Sequence, residues 1–160
     1  MGKTILWIGG PGKVWKVTSA GERYAELPAP IQLAFLLFTW WHRVDWRVAY
    51  PFEGFSRGIP YGFNAGTLTC LLELPVDEPF SSEIFADRVI AQSGLVWPIE
   101  DQQRARDILH WAIQRMVIEP LAGFGVLDCE YTLKTIDRSD FPEFSTIRLT
   151  PPGKGLLQTL

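Results

Sequence analysis

Between Ala105 and Val117 the apolar residues return every three or four positions: Ala105, Ile108, Leu109, Ala112, Ile113, Met116 and Val117. That spacing predicts an amphipathic helix, over 100–118, with one stripe buried against neighbouring elements. Glu100 and Asp101 lie in its first turn, where carboxylates favour the positive end of the helix dipole. Pro120 is expected to kink or end it, because proline lacks the N–H and crowds the preceding turn. After the turn "LAGFG", two β-rich runs, "VLDCEYTLKT" and "FSTIRLT", flank the loop tip "IDRSDFPE" and predict a hairpin.

Two shorter helices precede this pair. Asn64 can cap the first, which runs through "AGTLTCLLEL" and stops at Pro75. Ser81 or Ser82 can cap the second, "EIFADRVIAQS", and Gly94 suits its C-terminal stop. The last residues, from Pro151 or Pro152 onward, predict a short helix opened by proline.

The front of the chain is organised differently. "TILWI" and "KVWKVT" are joined by "GGPG" and predict a hairpin, followed by a short helical turn in "SAGERYAELPAP". "IQLAFLLFTWWHRVDW" is apolar on nearly all faces and predicts a helix buried on every side. A loop rich in Gly, Pro and aromatics, 47–62, marks the expected domain boundary. One phrase occurs at both ends of the chain: Val17-Thr18, Gly21 and Tyr24-Ala25 align with Leu149-Thr150, Gly153 and Leu156-Leu157.

Helix, helix, longer helix and hairpin is the order of a winged-helix domain, and residues 63–160 resemble that superfamily. The helices fall at 64–74, 82–93 and 100–118, and the wing strands at 125–135 and 144–150. The short strand that normally follows the first helix has no visible counterpart. The resemblance also implies a source for the repeat, since a second wing strand often enters a trailing helix through Thr-x-x-Gly. Residues 4–27 then look like the wing and trailing helix of a first unit, whose recognition helices would lie before residue 1. The expected class is α+β, mostly helical: a winged-helix domain at 63–160, preceded by a β-hairpin and a buried linker helix at 1–62. At this level the chain resembles bacterial winged-helix proteins of unassigned function, and fold alone does not specify activity.

Chemical motifs are sparse. "GGPGKV" has Val14 where a phosphate loop needs Ser or Thr, and its glycine spacing is wrong. His42, His110, Cys70 and Cys129 show none of the spacings zinc requires. No serine sits in a G-x-S-x-G elbow, and no carboxylate pair stands out as a tuned acid and base. The chain is therefore expected to be non-enzymatic, with no cofactor, metal or small-molecule ligand. The cysteines are expected as free thiols, which suits a cytoplasmic protein. The most apolar run is too short to span a bilayer, so no membrane association is expected.

Charge separates the remaining functions. Residues 1–62 carry seven basic and four acidic side chains, net +3, whereas residues 63–160 carry eight and fourteen, net −6. DNA affinity rests largely on Lys and Arg neutralising phosphates, so the winged-helix half has the wrong sign. On the outer face of the third helix, Gln103 and Gln114 could read adenine and Arg104 guanine. Arg115 beside them, with Lys134 and Arg138 on the wing, completes the DNA-contact candidates; Arg148 and Lys154 are further wing cations. Asp107, Trp111 and Ile118 on that same helix face favour a protein contact instead. Trp40, Trp41 and Trp46 join Trp111 and Ile118 as candidate protein contacts. The leading expectation is a module for protein–protein assembly within a larger protein or homo-oligomer; the alternative is a DNA-binding regulator.

Overall fold

The computed structural model describes residues 7–8, 16–43, 60, 62–136 and 139–160, without the side chains of 7–8, 134, 136 and 139–141. The fold is α+β, mostly helical, with antiparallel sheets of two and three strands. It divides into two compact units, Met1–Trp40 and Trp41–Leu160.

In the first unit, β1 (Trp7–Ile8) pairs antiparallel with β2 (Lys16–Val17), Trp7 facing Val17. Thr18 ends the strand and caps α1 (Ser19–Ala25), its hydroxyl accepting from the Gly21 N–H at 3.1 Å. The next helix, α2 (Ala29–Arg43), starts beyond Pro28 and holds Pro30 in its first turn, where no N–H is needed. Gln32, which interrupts the apolar run, donates to the Leu27 and Ala25 carbonyls at 2.8 and 3.2 Å and fixes the α1–α2 corner. Burial is narrower than the sequence predicts: Leu37 and Trp41 are buried, but Ile31 is 52%, Leu36 41% and Phe38 47% exposed.

In the second unit, α3 (Phe63–Leu72) leads to β3 (Phe80–Ser81), α4 (Ser82–Ser93) and α5 (Gln102–Ile113). Then come a π turn (Gln114–Ile118), α6 (Glu119–Gly123), β4 (Leu127–Ile136), β5 (Ser139–Leu149) and α7 (Pro151–Leu157). Gly62, not Asn64, is the cap residue of α3; the Asn64 side chain instead donates to the Trp41 carbonyl at 3.2 Å. Ser81 caps α4 through the Ile84 N–H and Gly94 closes it at φ 66°, the left-handed conformation glycine tolerates. Asp101 caps α5 through the Arg104 N–H at 3.0 Å.

The three-stranded sheet has the order β3-β5-β4. β3 follows α3 at a point where the sequence carries no strand signal. It is only two residues long, Phe80 opposite Ile147 and Ser81 opposite Thr146, and Ser81 is also the cap of α4. Val76 adds a parallel bridge to Leu149. Leu71, Phe85, Val89, Ile113, Val117, Leu121, Ile147 and Leu149 are buried between helices and sheet. Each such side chain contributes about 1.5–3 kcal/mol relative to exposure.

The third helix does not stop before Pro120. The π turn takes up one extra residue, and Pro120 then enters at the start of α6, where its missing N–H is harmless. The extra residue rotates everything after it by about 100° relative to a plain α-helical projection. Ile118, projected outward by that plain count, is thereby fully buried.

Residues at the two ends of the chain share one local design. Thr150 caps α7 as Thr18 caps α1, its hydroxyl accepting from the Gly153 N–H at 3.0 Å. In both, the cap backbone is extended and follows a strand directly. Gly153 is needed because a Cβ there would stand 2.3 Å from the Val126 carbonyl oxygen. The counterparts differ in burial: Leu149 is fully buried, whereas Val17 is 44% exposed.

Candidate functional site

Four carboxylate and base side chains lock α4 to α5. Glu83 and Asp87 are four residues apart on α4, and Arg106 and His110 are four apart on α5, so each pair lies on one face. Arg106 donates through Nε and Nη2 to the two oxygens of Asp87 at 3.1 and 2.8 Å, and through Nη2 to Glu83 at 2.8 Å. His110 Nε2 lies 2.7 Å from Asp87 Oδ1, so that nitrogen carries the proton and donates. The Arg106 guanidinium, opposed by desolvation and reinforced by His110, holds the Asp87 carboxyl below the usual carboxylate range. Arg106 in turn is held in its charged form.

Beside this lock a groove of about 640 Å³ opens between α5, the start of α4 and the hairpin of β4 and β5. Trp111 from α5 and Pro142 from β5 line it, together with the edge of the buried Phe144. Glu83, Asp107 and Glu143 supply carboxylates, all exposed. Arg115 also lines it, but its guanidinium donates to Glu119 at 2.8 Å and its side chain is only 14% exposed.

Gln114 closes the groove's floor. β4 and β5 slip register between Glu130 and Tyr131, leaving Ser145 as the extra residue of a bulge. At that point the Phe144 N–H donates to Gln114 Oε1 at 3.4 Å, and Gln114 Nε2 donates to the Phe144 carbonyl at 3.5 Å. The Ser82 hydroxyl donates to the same carbonyl at 2.5 Å. A side-chain amide thus substitutes for a neighbouring strand where β3 has ended.

The sequence-predicted residues distribute as follows. Gln103 is exposed and donates to Asp107 at 2.8 Å, and Arg104 faces solvent on the same helix. Arg115 is tied to Glu119, and Gln114 to Phe144, which removes both from the outward face. The Lys134 side chain, Arg138 and Trp46 lie outside the described residues. Of the predicted protein contacts, Trp111 lines the groove and Trp40 is half-buried. Trp41, at 2% exposure, and Ile118, at 0%, belong to the interior and cannot present a contact surface. Lys154 donates to the Leu72 carbonyl at the C-terminus of α3, and Arg148 is half-buried opposite Asp128. Glu83, Asp87 and Phe144 were missed; matched i, i+4 acids and bases on two helices could have revealed the first two.

Both cysteines are free; Cys70 is buried and Cys129 half-buried. Burial, then Asp128, pushes the Cys129 thiol up to about 11, and burial with Glu73 raises Cys70 as well. Among the described residues no cluster of three or more His, Cys, Asp or Glu could hold a metal ion. None of their helices is long and apolar enough to cross a membrane.

The class these features define is a mostly helical α+β protein, with a small antiparallel sheet bordering an acidic, aromatic groove. No protein-family model, curated protein or solved structure matches the chain.

Proposed function

We infer that residues 63–160 form a winged-helix module whose role is non-enzymatic protein–protein assembly. The winged-helix reading is supported by the order helix, short strand, two helices and ribbon, with the short strand on the outer edge of the returning one. The shared design of 127–157 and 7–25 extends that reading to the front of the chain, as part of a related unit.

The observation that carries the assembly reading is where the cations go. Arg106 lies between Asp87 and Glu83, Arg115 on Glu119, Arg88 over the Phe80 ring at 4.7 Å and Lys154 on the end of α3. Phosphate binding through these four cations would have to break these contacts, in a unit whose sequence beyond residue 62 carries net −6. Trp111 and the groove beside it suit a polypeptide surface better.

The test is a mobility shift with random duplex DNA at low salt, run beside sedimentation analysis of the same protein. Assembly predicts no shift, and self-association or partner binding that Trp111→Ala weakens. A shift that fades steeply with salt and disappears in Arg104→Ala would assign the module to DNA instead.

A further inference from the structure

We propose that two copies of this chain pair through β4, antiparallel about a twofold axis at Thr132, an inference that rests on the assembly reading. β4 is an outer strand in the order β3-β5-β4 and runs for ten residues. Its outward backbone groups follow from its pairing with β5. Pro142 stands opposite Leu133 and has no N–H to donate, so Leu133 turns its own N–H and C=O away from β5. Nearer the start of the strand, the Thr150 N–H donates to the Val126 carbonyl and the Ser145 hydroxyl to the Glu130 carbonyl. Even-numbered positions therefore face β5, and the free edge carries the groups of Cys129, Tyr131 and Leu133. No hydrogen bond among the described residues takes them.

The two edges of this sheet differ. Where β3 ends, the edge of β5 is closed by Gln114 and Ser82 on Phe144, and then by Pro142. β4 contains no proline, and the bulge opposite it is on β5. An open edge of this kind accepts a further strand.

Side chains select which strand. Tyr131 and Leu133 share one face of β4 and are 57% and 63% exposed. Pairing about Thr132 sets Tyr131 of each copy opposite Leu133 of the other, at positions whose backbone groups already point outward. On the opposite face the same register sets Glu130 against Lys134, so a pair of opposite charge forms twice. An axis at Glu130 would instead place two carboxylates face to face, and one at Tyr131 would set Leu133 against the half-buried Cys129. The strand is its own complement, which makes a second copy the occupant.

The experiment is sedimentation equilibrium of the full chain over a wide concentration range, with amide hydrogen exchange by NMR on the same samples. A monomer–dimer equilibrium is expected, since one strand pair buries less than a standard interface. The Tyr131 and Leu133 amide protons should exchange slowly in the dimer and fast on dilution, whereas that of Thr132, which faces β5, stays slow in both. Leu133→Pro removes an N–H that β5 does not use and should abolish the dimer. Glu130→Lys should weaken it about tenfold, and adding Lys134→Glu should restore it. Glu130 and Leu133 are exposed, so the fold is kept, as the spectrum verifies; the charge variants carry the test if the proline disturbs β4. A monomer at every concentration, or a dimer that neither Leu133→Pro nor Glu130→Lys weakens, would overturn the proposal. A double variant that stays weak, or a Tyr131 amide that stays fast in the dimer, would overturn it too. A monomer that shifts no DNA counts against this pairing alone, and a β4-paired dimer that shifts DNA counts against the assembly reading alone.

Discussion

Gly153 lies so close to Val126 that a Cβ at 153 would stand 2.3 Å from the Val126 carbonyl oxygen and 2.7 Å from its Cα. Both are backbone atoms, fixed by the Thr150 N–H donating to that carbonyl at 3.1 Å, so neither can move aside cheaply. Gly153→Ala is therefore expected to destabilise the protein by about 3 kcal/mol in urea unfolding. Gly155, in the same helix with nothing within 4 Å, is the control. Gly155→Ala should raise stability by about 0.5–1 kcal/mol, because only the helix propensity changes.

Thr150 carries more than a helix cap. Its hydroxyl accepts from Gly153 and donates toward the Gly125 and Val126 carbonyls, at 2.8 and 3.2 Å. Thr150→Val keeps the shape and removes all of these, and should cost about 1–2 kcal/mol by chemical denaturation. Thr18, the matching cap at the front, makes the same bond to Gly21. Thr18→Val removes that cap bond and should cost about 0.5–2 kcal/mol.

Asp87 should make stability fall in acid. Its folded pKa is depressed by Arg106, so the contribution is complete above the unfolded carboxylate value, about 4. It is lost as pH falls through the lower folded value. Melting temperature followed from pH 6 to pH 2.5 should drop less steeply at the acid end in Asp87→Asn than in the unaltered protein. Parallel acid limbs would show that the lock between α4 and α5 contributes nothing.

Ile118 and Trp111 should separate stability from recognition. Ile118 is fully buried, so Ile118→Ala is expected to cost about 3 kcal/mol of unfolding free energy. Trp111 is half-buried at the groove, and Trp111→Ala should change assembly more than stability.

The thiols should be slow. With its pKa near 11, Cys129 at pH 8 is roughly 200-fold less ionised than an ordinary cysteine at about 8.5. Reaction with a disulfide reagent should be correspondingly slow in the native protein and fast in urea. A rapid native phase would place Cys129 in water.

Much of the fold is legible in the residues because it is local or periodic. Ser81 is one of the two caps that the sequence offers for α4, Gly94 is the αL stop, and the stripe from Ala105 to Val117 faces the interior. In each, the deciding contact lies within a few residues of the one that signals it. Asn64 shows the limit: it has the chemistry of a cap, but the Trp41 carbonyl, 23 positions away, takes its amide.

The chain's order of helices and ribbon, the cap and stop of α4 and its acidic second half follow from sequence alone, since propensity, period and charge are carried by neighbouring residues. Tertiary structure alone decided the strand at Phe80–Ser81, paired to Ile147 and Thr146, and the Asp87 lock. It also decided the inward turn of Ile118 and the groove beside the β4–β5 hairpin. Each of these depends on which distant groups meet. A two-residue strand has no period of its own, and a π turn breaks the count from which a helical face is projected.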